Sequence, residues 1–230
     1  MGTVFRESPL TWGLILSNIL IYLLSALCAG LLGSLDNRTL VECGGVYGPA
    51  VMLGGEWWRL GTAMFLHGGI EHLVLNMVSL LIVGRMMEQT FSRLAYLAIY
   101  LAAGAMGFLV SLIAHPVSVT IGASGAIFGL FGAMGGFAFF HRRILGERYR
   151  LFMKEFGVIL GLNLILGLTI PSIDMSAHAG GLVLGIVAGY LAIRSPGALW
   201  VFLLLSAAVA AGIVVGWVLP EYRILYLPLH

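Results

Sequence analysis

The chain has 230 residues, of which 60% are hydrophobic and only 10% charged, whereas a soluble domain carries roughly 25% charged residues. That balance excludes a soluble globular protein. Disorder, collagen and a disulfide scaffold are excluded as well: the 32 glycines follow no three-residue period, and 2 cysteines cannot staple a chain of this size. A polytopic all-α membrane protein remains, and its net charge of +2 matters less than where the charges sit.

A membrane-crossing helix needs about 20 mostly apolar residues. Residues 8–35 carry no Asp, Glu, Lys or Arg and give the first span, which exceeds the roughly 7–15 apolar residues of a signal peptide and is expected to be retained. The outer loop from Ser34 to Gly69 holds Tyr47, Trp57, Trp58 and Phe65, a composition suited to the membrane interface. Residues 72–84 form the heart of the second span, which extends through Arg85 to Glu88. Residues 94–141 lack Asp, Glu, Lys and Arg and are too long for one helix. The break from His115-Pro116 to Gly122 divides them into the third and fourth spans. Residues 156–173, 175–193 and 195–220 complete a set of seven.

With seven spans, Arg6, Arg85, Arg93, Arg142, Arg143, Arg148, Arg150, Lys154 and Arg194 share one side, and Arg38, Arg59 and Arg223 the other. The positive-inside bias then places the N-terminus in the cytosol and the C-terminus outside. The basic cluster 142–154 is an orientation anchor, not a nucleic-acid patch. Cys28 falls in the first span and Cys43 in the outer loop, and both are expected to be free.

In the fourth span Gly125, Gly129, Gly132 and Gly136 recur at steps of four and three, a smooth strip along one helical face. The sixth span repeats the device with Gly181, Gly185 and Gly189. Small residues pack any membrane bundle; here the two strips predict that the fourth and sixth helices are neighbours.

Polar side chains inside spans are costly and normally face the bundle interior. His67, His72, Asn76, Ser124 and His178 all fall toward the outer ends of their helices and can converge in one polar pocket. Ser124 opens an apolar helix, where a helix cap is the common role of serine. A serine nucleophile needs a base, and the glycine strips bring His178 toward Ser124, which favours a Ser-His dyad. Asp174, four residues before His178, is expected to be solvated or part of a lid. His72 and Asn76 lie four apart on one face as oxyanion donors, joined by the Ser124 backbone N–H. His67, before Gly68-Gly69, is expected to shape the outer loop. A zinc protease helix would carry two His four apart with Glu after the first, and that pattern is absent. No metal or cofactor is expected.

Trp58-Arg59, the His67, His72 and Asn76 series, Gly122-Ala123-Ser124-Gly125, and His178 with Gly181 and Gly185 together resemble the rhomboid intramembrane serine proteases across the first six spans. The resemblance implies a six-helix catalytic core over 1–194 and an additional seventh helix with a short tail over 195–230. It implies Ser124 as nucleophile, His178 as base, and His72, Asn76 and the Gly122–Ser124 backbone around the oxyanion. It further implies structural roles for Trp58, Arg59, His67, Gly84, Glu88, Gly181 and Gly185. Phe128 stands where bacterial relatives often have Tyr, as an aromatic wall against His178. Residues 156–170 and 171–177 would act as gate and lid. The implied activity is cleavage of single-span membrane proteins near their outer ends, without nucleic acid, in a bacterial inner membrane. The rival is a catalytically silent relative that binds or escorts membrane clients. A transporter would instead distribute polar residues along a whole pathway.

Overall fold

Residues 8–30, 34–169 and 173–226 are described by a computed structural model. Arg6, residues 31–33 of the expected first span, Ile170, Pro171 and Ser172 of the expected gate and lid, and the last residues 227–230 lie outside the described residues.

The first long helix, α1 (Pro9–Cys28), starts with proline at its first turn, where no backbone N–H is needed. It ends at Cys28, short of the expected residue 35. The outer loop is folded rather than extended. It contains α2 (Asn37–Glu42), strand β1 (Val46–Tyr47), α3 (Gly48–Met52), α4 (Arg59–Thr62) and a 3-10 turn, Ala63–Phe65. Next come α5 (Ile70–Thr90), α6 (Arg93–Ala114), strand β2 (Val119–Thr120), α7 (Ser124–Phe140) and the short α8 (Arg142–Leu145). The chain continues with α9 (Glu147–Thr169), α10 (Met175–Arg194), α11 (Pro196–Ile213) and α12 (Leu219–Tyr226), the last two joined by a π-helical stretch, Val214–Val218. The seven expected spans correspond to α1, α5, α6, α7, α9, α10 and α11–α12, and the arrangement is a polytopic helical bundle.

Among the described residues, five of these helices are long and apolar enough to cross a membrane. The other two differ from expectation in instructive ways. Helix α9 begins at Glu147, so Arg150 and Lys154 ride on its first turns instead of a loop. Helix α7 has only 17 residues, about 25 Å at 1.5 Å per residue, less than a hydrocarbon core of roughly 30 Å. At least one end of α7 therefore stops inside the membrane.

Helix α7 is the hub: its most extensive packing is against α10, and it also packs on α6. The α7–α10 contact is made by backbone. A Cβ on Gly181 would strike the carbonyl of Gly125, one on Gly185 that of Gly129, one on Gly189 that of Ala133, and one on Gly132 that of Leu182. The neighbours predicted from the two strips are thus in direct contact, and no side chain larger than hydrogen fits between them.

Glu88 closes the opposite corner. Its side chain is 2% exposed, and it accepts the backbone N–H groups of Leu10 at 3.1 Å and Thr11 at 2.9 Å and the Thr11 hydroxyl at 2.8 Å. A carboxylate from α5 thereby caps α1, which has no side-chain cap of its own. A Cβ at Gly84 would meet the Tyr96 hydroxyl at 2.6 Å and Thr11 at 2.8 Å, so the expected Gly84–Glu88 stripe is the seat of α1.

The last helix is mostly lipid-facing, with Leu199, Val214, Val218 and Tyr222 as its buried contacts. The Tyr222 hydroxyl donates to the carbonyl of Pro116 and fills the space beside Gly48. The seventh span is thus fastened at one end of the β1–β2 pair, to the segment after β1 and the segment before β2.

Gly185→Ala is expected to lower unfolding free energy by about 1–3 kcal/mol, whereas Gly212→Ala, with open space around it, should stay within about 0.5 kcal/mol; detergent unfolding titrations measure both. Removing the cap with Glu88→Ala should cost about 1.5–3 kcal/mol by the same titration, because three buried donors lose a charged acceptor.

Candidate active site

Beta strands β1 and β2 pair antiparallel, Val46 opposite Thr120 and Tyr47 opposite Val119, and so tie the outer loop to the segment entering α7. That segment turns at Gly122, whose φ of +106° is left-handed and strained for any residue with a side chain. Its N–H donates to the carbonyl of Ala63 at 2.8 Å. A Cβ there would lie 2.8 Å from Cε1 and Nε2 of His72. Gly122 therefore admits the His72 ring beside the start of α7, and its own N–H is committed to Ala63.

Ser124 is the first residue of α7, behind Ala123, and the helix has no side-chain cap. The hydroxyl thus does not perform the structural task most common for serine at this place. The backbone N–H groups of the first turn have no partner within the helix and form a site for developing negative charge.

His178 enters from α10, one turn past its start, and is 7% exposed. Ala177 and Gly181, on either side of it, lie against Gly125: the Gly125 Cβ position is 3.4 Å from the Ala177 carbonyl. The Phe128 ring stacks on the imidazole with centroids 4.2 Å apart and planes 13° apart. Nδ1 of His178 is buried without a hydrogen-bond partner, and no hydrogen bond joins Ser124 to His178 among the described residues.

His72 and Asn76 share one face of α5, and the Asn76 amide donates to the His72 carbonyl at 2.9 Å, leaving its second N–H unused. His67 is 1% exposed, packs edge-on against His72 at 5.0 Å, and has no partner for either ring nitrogen. Burial first, and the neighbouring His72 second, push its pKa down to about 3. It lies buried between the outer loop and the start of α5.

Arg59 holds the outer loop together. Its guanidinium donates to Glu56 at 2.7 Å, to the Val41 carbonyl at 2.6 Å and to the Gly45 carbonyl at 2.9 Å, and lies 4.8 Å from the Trp58 ring centroid. Trp58 itself is exposed, in keeping with an interfacial position. Gly181 and Gly185 are the contact points of α10 on α7 described above.

Asp174, expected to be solvated or part of a lid, is half-buried and is the N-cap of α10, accepting from the N–H groups of Ser176 and Ala177. The signal was available in the sequence, since an Asp just before an apolar helix is a start signature. What no sequence pattern carried is its second partner, Thr120, and the Ser111 hydroxyl behind it. Among the described residues no cluster of three His, Cys, Asp or Glu could hold a metal ion.

Residues 54–195 match the family profile described as Rhomboid domain. RHOMBOID-like protein 6, mitochondrial, of Arabidopsis thaliana is 37% identical over 165 residues, 72% of this chain and 53% of that protein. RHOMBOID-like protein 4 of the same plant is 34% identical over 166 residues, 72% of this chain and 42% of its own. Rhomboid protease GluP of Bacillus subtilis is 37% identical over 203 residues, 86% of this chain and 38% of its own. The chain thus spans about half or less of the length of these relatives.

His67 predicts a pH effect. Its folded pKa of about 3 lies below the ordinary 6.5, so the unfolded state binds the proton first and stability falls as pH drops below 6.5 toward 3. The loss from this group approaches about 1.4 kcal/mol per pH unit, and His67→Gln should flatten the pH dependence of unfolding by one proton.

Proposed function

Because the chain belongs to the rhomboid protease family, we propose that it is an intramembrane serine endopeptidase in which Ser124 is the nucleophile and His178 the general base. The observation that carries this reading is local. Ser124 starts a short helix without capping it, and the backbones flanking it and His178 touch, with the His178 ring held flat against Phe128.

In this reading His178 takes the Ser124 hydroxyl proton as Oγ attacks the substrate carbonyl. The tetrahedral oxyanion is met by the Ser124 N–H, the free N–H of Asn76 and the His72 ring. Collapse delivers the proton to the leaving amine and leaves an acyl-enzyme, which a water activated by the same histidine hydrolyses. The Ser124–His178 hydrogen bond forms when substrate arrives, since catalytic hydrogen bonds commonly tighten only in the complex.

Integral membrane placement follows from the apolar helices and the family. We place the arginine-rich ends of the spans in the cytosol and the Ser124 site toward the opposite face, in a bacterial plasma membrane. Substrates are single-span membrane proteins that enter beside α9, whose Phe156 is a looser contact on Phe131 with ring centroids 6.4 Å apart.

The test is cleavage of a tagged single-span reporter, with small residues near its outer end, by protein reconstituted in liposomes. Wild type should release product, and Ser124→Ala and His178→Ala should lower the rate by at least about 10³-fold. Asn76→Ala should lower kcat about 10²-fold. Product from Ser124→Ala at the wild-type rate overturns the mechanism. Tight reporter binding with no product from wild type would instead support a client-escort protein.

A further inference from the structure

The carboxylate of Asp174 sits where three elements meet. One oxygen accepts the backbone N–H of Ser176 at 2.9 Å and of Ala177 at 3.1 Å, and also the Ser176 hydroxyl. The other accepts the Thr120 hydroxyl at 3.4 Å, and Thr120 in turn shares a 2.8 Å hydrogen bond with Ser111 on the last turn of α6. Thr120 and Ser111 are both buried. The Asp174 carbonyl accepts the N–H of His178 at 3.3 Å.

Each partner leads directly to a reacting residue. Thr120 pairs with Val46 in the β1–β2 ladder and precedes the Gly122 turn that sets Ser124. Ser176 and Ala177 form the turn that sets His178, and the Ala177 carbonyl packs against Gly107 of α6 as well as Gly125 of α7. We propose that Asp174 is a positioning residue of this site, a brace whose two oxygens fix the approach of the His178 helix to the segment that carries Ser124. The proposal rests on Ser124 and His178 being the reacting pair.

A cap alone would need one oxygen. The buried Ser111–Thr120 pair supplies the reason for the second: two hydroxyls give the carboxylate a directed donor across the gap between α6, β2 and α10. The group is held in its charged, accepting form. Burial opposes this, but hydrogen bonds from Ser111, Ser176 and the Ala177 N–H, with His115 nearby, keep its pKa below the ordinary carboxylate range. The brace also suits the chemistry, because the close α7–α10 approach is made by glycine and backbone, flanked by ring contacts, with no side-chain hydrogen bond across it among the described residues. Hydrogen bonds at the outer end set the angle that glycine packing leaves open.

Three variants separate cap from brace. Asp174→Ser keeps a preferred N-cap but is too short to reach Thr120; Asp174→Asn keeps both reaches; Thr120→Val removes the hydroxyl without changing shape. In the liposome assay Asp174→Ser and Thr120→Val should each lower kcat about tenfold with KM unchanged. Asp174→Asn should stay within about threefold of wild type. The Asp174→Ser, Thr120→Val double variant should be no slower than the slower single variant, because one interaction is lost twice. Wild-type kcat in Asp174→Ser, or losses that multiply, would overturn the brace.

Hydrogen exchange reads the same brace without relying on activity. In Asp174→Ser, amides of residues 117–124 should exchange at least tenfold faster, while those of Ser176 and Ala177 remain protected. Unchanged exchange in 117–124 overturns the brace whatever the wild type cleaves. Faster exchange there, with a wild type that releases no product, upholds the brace and overturns the protease reading instead.

Discussion

The structure depends on one contact: the backbone-to-backbone approach of α7 and α10, permitted only because glycine replaces larger residues at every crossing point. In a membrane no hydrophobic effect drives helices together, so van der Waals contact at close range must do so. Glycine maximises that contact and removes the side chains that would otherwise separate Ser124 from His178. The packing that stabilises the bundle is therefore the same feature that brings the two polar residues to one place.

Polar groups are then distributed by depth. The cap on α1 by Glu88, the Arg59 cluster and the Asp174 brace each satisfy buried polar groups near helix ends. Between these ends the helices are almost wholly apolar. Ser124 opens a helix that no side chain caps and that is shorter than the hydrocarbon core.

Much of this was legible in the sequence, for identifiable reasons. The spans followed from hydropathy, and the α7–α10 contact from glycine spacing, because a periodic strip carries its own geometry. Ser124 and His178 stood out because polar residues in apolar helices are expensive. Legibility failed where a partner comes from a distant segment. Glu88 reads as an interfacial charge until α1 is seen to end on it, and Asp174 reads as solvated until Ser111 and Thr120 appear beside it. Helix lengths failed for a different reason: α9 starts at Glu147 because amphipathic first turns extend a span beyond its apolar stretch.

The seventh helix shows how the outer loops acquire a fixed shape. Most of its side chains are exposed, and its buried residues are Leu199, Val214, Val218 and Tyr222. At the far end Tyr222 binds the Pro116 carbonyl and occupies the space that a side chain at Gly48 would need. Gly48 follows β1 and Pro116 precedes β2, so in the antiparallel register this one tyrosine touches both chains at the Tyr47–Val119 end of the strand pair that leads to Ser124. Asp174 grips the same pair from the other side through Thr120. A two-stranded ladder of two residues each is too small to hold its register by its own hydrogen bonds. It keeps it here because a helix from outside the six-helix core and the cap of α10 clamp it between them.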